Sequence, residues 1–228
     1  MSKTIPVKIW DVPTRLFHWT LAVGMGFMWF SAEMGGFWMD WHMQVGIFML
    51  ALVLFRIVWG LIGSETSRFT SFLSSPKAAL QHLHELKQPK EAYHAGHNPL
   101  GAWMVVFLLA GLLVQGGTGL FASDDIMVEA PLYGLVSESL SSKLTGIHHL
   151  VFNLLLLAAA VHIFAVIFYK LRKRTNLIKA MVAGSADWPA HEPAPTTLKF
   201  ASPWLALVVF VVCYAVVLLG VEWLQTLP

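Results

Sequence analysis

Long apolar segments separated by polar connections run through the chain, and they predict a bundle of membrane-spanning helices. A helix needs about 20 mostly apolar residues to cross a bilayer, and the chain offers five such segments. We therefore expect an all-α fold, a polytopic transmembrane helical bundle. The predicted spans are Leu16–Phe37, Trp41–Ile62, Pro99–Phe121, Gly146–Lys170 and Pro203–Trp223.

The polar connections give further detail. Gly35–Asp40 is too short to cross a bilayer, so the first two spans are expected to be antiparallel. Between the second and third spans, Ser75-Pro76 predicts a helix start, because serine caps helices and proline suits the first turn. Thr175–Ser202, with three prolines, is interpreted as a polar linker before the last span.

Composition and charge agree with a membrane protein. The chain is 57% hydrophobic and 12% charged, whereas a soluble domain carries about 25% charged residues. With the N-terminus inside, 14 of the 15 Lys and Arg residues fall at the cytoplasmic side, and the outer segments hold only Lys143. The positive-inside rule then predicts a cytoplasmic N-terminus and an outer C-terminus. Lipid is the expected surrounding, and no nucleic-acid partner is expected.

Two histidines on the fourth span are the first candidates for chemistry. His148 and His162 are fourteen residues apart. They therefore lie roughly 21 Å apart along a helix and within roughly 40° of one face. Two imidazoles on one stripe, one near each side of the membrane, suit two stacked haems. His149 is an alternative to His148, although its angular offset from His162 is larger.

Two more histidines supply the opposite ligands. His18 enters the first span near the inner side, and His42 opens the second span near the outer side. Matching by depth pairs His42 with His148 and His18 with His162. Haem bound by two imidazoles has no open position, which suits electron transfer. The alternative is that each histidine only bonds a neighbouring helix. The single Cys213 excludes a Cys-x-x-Cys-His attachment motif, so the haems would be held non-covalently.

Other polar residues have two interpretations each. Arg15 and Arg56 could bind haem propionates, or could reach lipid phosphate. His97, before the third span, could serve a propionate or a quinone, or could cap a helix. The remaining histidines in polar segments are expected to be solvated: His82, His84, His94 and His191.

Several motifs together resemble the prokaryotic cytochrome b561 family, which shares its fold with the b-type cytochrome subunit of nickel–iron hydrogenases. The resemblance covers about Ile5–Ala183 and implies a four-helix haem-binding core with two b haems on the first, second and fourth helices. We therefore expect a dihaem domain at 1–183, then a linker and a fifth transmembrane helix at 184–228. The motifs are Arg15-Leu-Phe-His18-Trp19, Trp41-His42, Gly96-His97-Asn98-Pro99-Leu100-Gly101, Ile147-His148 and Val161-His162.

The resemblance implies an electron-transfer cytochrome rather than a stand-alone enzyme. Electrons would pass through the inner membrane of a bacterium, between the quinone pool of a respiratory chain and a periplasmic redox protein such as a c-type cytochrome. One alternative is the cytochrome b subunit of a hydrogenase-like or other periplasmic dehydrogenase complex. Another is a superoxide:quinone oxidoreductase.

Overall fold

A computed structural model describes residues 4–86, 94–124, 126–190, 192–195 and 197–227. Five long helices form most of this part of the chain, and three short helices and two strands join them. The long helices are α1 (Val12–Met34), α2 (Phe37–Ile62), α5 (Pro99–Gly119), α6 (Glu138–Arg172) and α8 (Pro203–Gln225). The short helices are α3 (Phe69–Phe72), α4 (Pro76–Glu85) and α7 (Leu177–Ala183).

Among the described residues, α2, α5, α6 and α8 are long and apolar enough to cross a membrane. α1 has 23 residues but is not in that group, so its membrane crossing remains a prediction. α6 begins eight residues before the predicted fourth span. The turn between α1 and α2 is confirmed, and it is tight because Gly35 and Gly36 both have positive φ angles, of 59° and 52°.

The all-α prediction is wrong in one detail, because a small two-stranded sheet is present. β1 (Thr4–Lys8) pairs antiparallel with β2 (Ser185–Pro189), with Thr4 opposite Pro189 and Lys8 opposite Ser185. Between α7 and β2, Gly184 adopts a left-handed φ of 84° and closes the helix with a bond to the Ala180 carbonyl. The segment interpreted as a polar linker therefore contains a helix and a strand.

The chain forms two compact units, which are described separately. The first comprises Met1–Leu16, Val58–Phe107 and Ala158–Ala206, and the second Phe17–Ile57, Leu108–Leu157 and Leu207–Pro228. In the first unit, a small core packs under the sheet from Ile9, Trp10, Ala180 and Trp188. The predicted start of α4 is confirmed, since the Ser75 hydroxyl accepts a bond from Ala78 N at 3.2 Å.

Glycines allow the helices of the second unit to pack closely. A Cβ at Gly116 on α5 would lie 3.0 Å from Leu50 of α2, and one at Gly111 would lie 2.9 Å from Leu155 of α6. α8 packs on α2 through Phe210, whose ring centre is 5.9 Å from that of Phe48. These contacts pack α5 against α2 and α6, and α8 against α2.

Asp11 connects the start of α1 to α2 in the first unit. Its Oδ1 accepts a bond from Thr14 N at 2.7 Å, which caps α1, and its Oδ2 accepts from the Trp59 indole at 3.1 Å. Asp11 and Trp59 are both buried. Both carboxylate oxygens therefore satisfy buried donors.

We expect Asp11→Ala to lower the free energy of unfolding by about 2–3 kcal/mol, because it removes a helix cap and the acceptor of a buried indole. Thermal unfolding in detergent measures the change. Asp187→Ala is the matched control. Asp187 pairs with Lys179 at 2.7 Å with both side chains about half exposed, so its loss should cost less than about 1 kcal/mol. Equal losses would contradict the role given to Asp11.

Candidate functional site

Two of the predicted histidines meet in the second unit. His42, in the second turn of α2, and His148 of α6 have ring centroids 6.4 Å apart, with planes inclined at 70°. Both are half-buried. The two imidazoles come from different helices, and their rings approach each other in a T-shaped arrangement.

His42 is oriented by the last turns of α1. Its Nδ1 lies 3.1 Å from the Met28 carbonyl oxygen and 3.0 Å from the Ser31 hydroxyl. Ser31 is fully buried and itself donates to the Met28 carbonyl. A carbonyl only accepts, so Nδ1 carries the proton and Nε2 keeps its lone pair. His42 is thereby prepared to bind a metal through Nε2.

His148 is oriented in the same way by α5. Its Nδ1 lies 2.9 Å from the Gln115 carbonyl oxygen, and its Nε2 lies 3.0 Å from the Gln115 side-chain nitrogen. The proton is again on Nδ1, and Nε2 accepts from the amide. A Cβ at Gly119, one turn further on α5, would lie 2.8 Å from Cε1 of His148. Glycine at that position therefore makes room for the ring.

Gln115 is a site residue that the sequence analysis missed. Its side-chain oxygen is buried without a hydrogen-bond partner, and its side-chain nitrogen lies 3.0 Å from the His148 Nε2 atom that would bind a metal. A lone amide within an apolar span was the available signal, because polar side chains are rare there and commonly functional.

The other candidate ligands differ in burial and in surroundings. His149 is exposed. His18 is half-buried in the second unit, with its ring 5.0 Å from Trp19. His162 is half-buried on α6 in the first unit. The pairing of His18 with His162 remains a prediction.

The three predicted cofactor-binding residues have different surroundings. In the first unit, the Arg15 guanidinium donates to the Val182 carbonyl at the end of α7. His97 lies between two aromatic rings, 4.8 Å from Trp10 and 4.5 Å from Phe72. In the second unit, Arg56 is 2% exposed within α2. An arginine buried in a membrane helix is costly and commonly functional.

The expectation that His82 is solvated is wrong. His82 is 2% exposed, and its Nε2 lies 3.1 Å from the Tyr169 hydroxyl. The helical period of α4 turns this residue inward and leaves His84 exposed, as predicted for His84. His94 is also exposed, as predicted. His191 lies outside the described residues.

An acidic cavity lies at the start of α2, one turn from His42. Its volume is about 550 Å³, and its lining includes Asp40, Asp124 and Glu129 together with Met39 and Met43. Backbone N–H groups of Val128, Met127 and Ile126, in that order of effect, hold the pKa of Asp124 below its usual range. Asp124 therefore stays ionised at neutral pH and well into the acid range.

Comparisons with known proteins show what the chain is similar to. A family model described as "prokaryotic cytochrome b561" matches residues 9–184. A protein of Rhodobacter capsulatus, described as "probable Ni/Fe-hydrogenase B-type cytochrome subunit", is 23% identical over 216 residues, which cover 78% of this chain and 80% of that protein. No solved structure gave a significant match. The chain is thus an integral membrane protein and a b-type cytochrome of electron transfer.

The His42–His148 pair fits the b haem that this family implies. Bonds of about 2.0 Å from two imidazole nitrogens to one metal atom place the ring centroids roughly 6 Å apart, and the observed separation is 6.4 Å. Both Nδ1 protons are already bonded to carbonyl oxygens, the usual orientation of metal-binding histidines. The Gln115 amide would have to turn aside for Nε2 of His148 to hold the haem iron.

We expect Gly119→Ala to reduce the haem content of the purified protein, because its Cβ would overlap the His148 ring. Gly117→Ala is the matched control on the same helix, since a Cβ there would have no atom within 4 Å. Haem absorbance per polypeptide measures the effect. Equal haem content in the two variants would contradict the assignment of His148.

Proposed function

Because the chain belongs to the prokaryotic cytochrome b561 family, we propose that it is a dihaem cytochrome that transfers electrons between membrane quinone and an external redox protein. The observation that carries the proposal is the facing His42–His148 pair, with each Nδ1 bonded to a backbone carbonyl. Two axial imidazoles leave no position for oxygen, so electron transfer is favoured over oxygen chemistry.

The second haem is proposed on His18 and His162. The support is the spacing along the sequence, since His162 follows His148 by fourteen residues on α6. Two irons held at the positions of His148 and His162 would be roughly 20 Å apart along the helix. Arg56, buried within α2, is proposed to neutralise a haem propionate. Arg15 could contribute as well, because its guanidinium has five donors and Val182 uses one side of it.

The orientation is proposed from the basic residues. Lys170 and Arg172 lie in the last turn of α6, and Lys173 and Arg174 follow it. The loop between α5 and α6 holds acidic residues, and Lys143, near the start of α6, is the single Lys or Arg between positions 120 and 169. The N-terminus is then cytoplasmic, and the His42–His148 pair lies near the outer side of the inner membrane. Residues 1–183 form the haem domain, and 184–228 add the linker and α8.

An external partner is proposed to bind at the acidic cavity. Three carboxylates line it beside the start of α2, where His42 is located. A basic protein surface, such as that of many c-type cytochromes, would be attracted to it, and charge complementarity mainly raises the rate of association. This partner class is proposed on charge alone.

A second candidate function is the membrane subunit of a periplasmic dehydrogenase. The Rhodobacter capsulatus relative is described as a hydrogenase subunit. The same haems would then receive electrons from a bound catalytic subunit. Purification from the native membrane distinguishes the two, because a stable complex with a dehydrogenase favours the second candidate.

We expect two haems per polypeptide in the wild type. His42→Ala and His148→Ala should each lose mainly one haem, because iron keeps a single imidazole at that site. His18→Ala and His162→Ala should lose mainly the other. The pyridine haemochrome assay measures the stoichiometry, and His149→Ala is the control that keeps both. A His148→Ala variant with full haem content would contradict the assignment.

Electron transfer with quinone is tested by mixing the oxidised protein with a reduced ubiquinone or menaquinone analogue. We expect the haems of the wild type to be reduced after mixing, as their absorbance bands will show. His162→Ala should be reduced far more slowly, since it lacks the inner ligand. A wild type that both reduced quinones leave oxidised would contradict the quinone link.

A further inference from the structure

In the first unit, a chain of polar contacts runs from Asn98, the residue before α5, to the exposed side chain of Glu85. Asn98 Nδ2 donates to the Tyr169 hydroxyl at 2.6 Å, and this hydroxyl lies 3.1 Å from His82 Nε2. His82 Nδ1 in turn lies 3.4 Å from Glu85 Oε2. The Glu85 side chain is 56% exposed, whereas that of His82 is 2% exposed. The chain thus leads from a buried position to water.

The direction of each bond follows from the donors. Asn98 gives an N–H to the Tyr169 oxygen, so the phenol proton is available to point at His82 Nε2. His82 then carries its proton on Nδ1, toward the Glu85 carboxylate. The first two links are hydrogen bonds that join a donor to an acceptor, and the third places Nδ1 of His82 within ion-pair distance of the Glu85 carboxylate. Each of the last three groups can gain and lose a proton.

The position of Tyr169 connects this chain to the proposed electron path. Tyr169 follows His162 by seven residues on α6, which is roughly 10 Å along the helix and within roughly 20° of the same face. Asn98 is also fixed, because its Oδ1 caps α5 by accepting from Gly101 N at 2.8 Å. The chain therefore begins two turns from the predicted inner ligand.

We propose that Tyr169, His82 and Glu85 form the proton relay of the quinone reaction, oriented by Asn98. Oxidation of a hydroquinone releases two electrons and two protons. The electrons reduce the haem irons, and the protons need a separate path to water. For each proton, Tyr169 passes its own to Nε2 of His82 and is reprotonated from the hydroquinone, while His82 passes its Nδ1 proton to Glu85 and then to solvent. The His82 ring then turns over to restore the Nδ1–H tautomer before the second proton follows.

The neighbours of His82 are compatible with this role. Glu85 is the carboxylate beside its Nδ1, and His94 lies 5.7 Å away, ring to ring. Lys170 and Arg172 follow Tyr169 on α6. A relay histidine needs both nitrogens bonded to groups that exchange protons, and His82 has a phenol on one side and a carboxylate on the other.

The inference rests on the proposed quinone link, and its test separates the two. Haem reduction by a reduced quinone analogue is compared with reduction by dithionite, which needs no proton path. We expect His82→Gln and Tyr169→Phe to slow the quinone reaction on the order of 100-fold, the usual contribution of a positioned proton-transfer group. Haem content and dithionite reduction should remain at wild-type values.

His84→Gln is the matched control, because it removes an exposed histidine from the same helix. Glu85→Gln changes only the exposed end of the relay, so its fold is retained, and it should also slow the reaction. Added imidazole should restore part of the rate to His82→Gly. Transfer into heavy water should slow the quinone reaction of the wild type. This slowing should be larger than the effect of the His84→Gln substitution.

The possible results distinguish failure of the proton relay from failure of the proposed quinone reaction. Wild-type rates in His82→Gln, Tyr169→Phe and Glu85→Gln, with the wild type reduced by quinone, would overturn the relay and leave the proposed function standing. A wild type that reduced quinones cannot reduce would overturn both. A slow His82→Gln variant that is equally slow with dithionite would overturn the relay, because a structural defect would then explain the loss.

Discussion

The imidazoles of His42 and His148 depend on bonds between their Nδ1 atoms and backbone carbonyls of neighbouring helices. In an apolar surrounding, a histidine without such a bond would lose its preferred tautomer and its fixed orientation. Met28 of α1 supplies the carbonyl for His42, and Gln115 of α5 supplies it for His148. The packing of the second unit follows from this need, because α5 must approach α6 closely at Gly119 for the Gln115 carbonyl to reach the ring.

The two units contribute different chemistry to one electron carrier. The second holds an imidazole pair and an acidic cavity, to which we assign the proposed electron transfer to a partner protein. The first holds a polar chain that reaches water through α4, which is suited to moving protons. The continuous helix α6 contributes to each unit, with His148 in the second and with His162 and Tyr169 in the first. An electron carrier that uses quinone needs both functions, since electrons and protons leave the substrate by separate routes.

The sequence was sufficient for the features that depend on local pattern. Helical period and apolar length located α2, α5, α6 and α8, and Ser75-Pro76 located the start of α4. The features it missed depend on contacts distant in sequence. β1 and β2 pair although most of the sequence lies between them. His82 contacts Tyr169, which is 87 residues away in the sequence. No local spacing in the sequence encodes such contacts. Gln115 was overlooked because the His148 ring is oriented largely by its backbone carbonyl, a group that every residue has.

The most direct measurement of the central claim is low-temperature electron paramagnetic resonance of the oxidised wild-type protein beside His42→Ala. Two axial imidazoles predict low-spin ferric iron throughout the wild type, with a high-spin signal or a lost signal in His42→Ala at one haem only. If a haem is held between His42 and His148 with the imidazole planes inclined as they are here, at 70°, its low-spin signal would be strongly anisotropic. A wild type with high-spin iron, or a His42→Ala spectrum identical to it, would contradict the assignment of this pair as haem ligands.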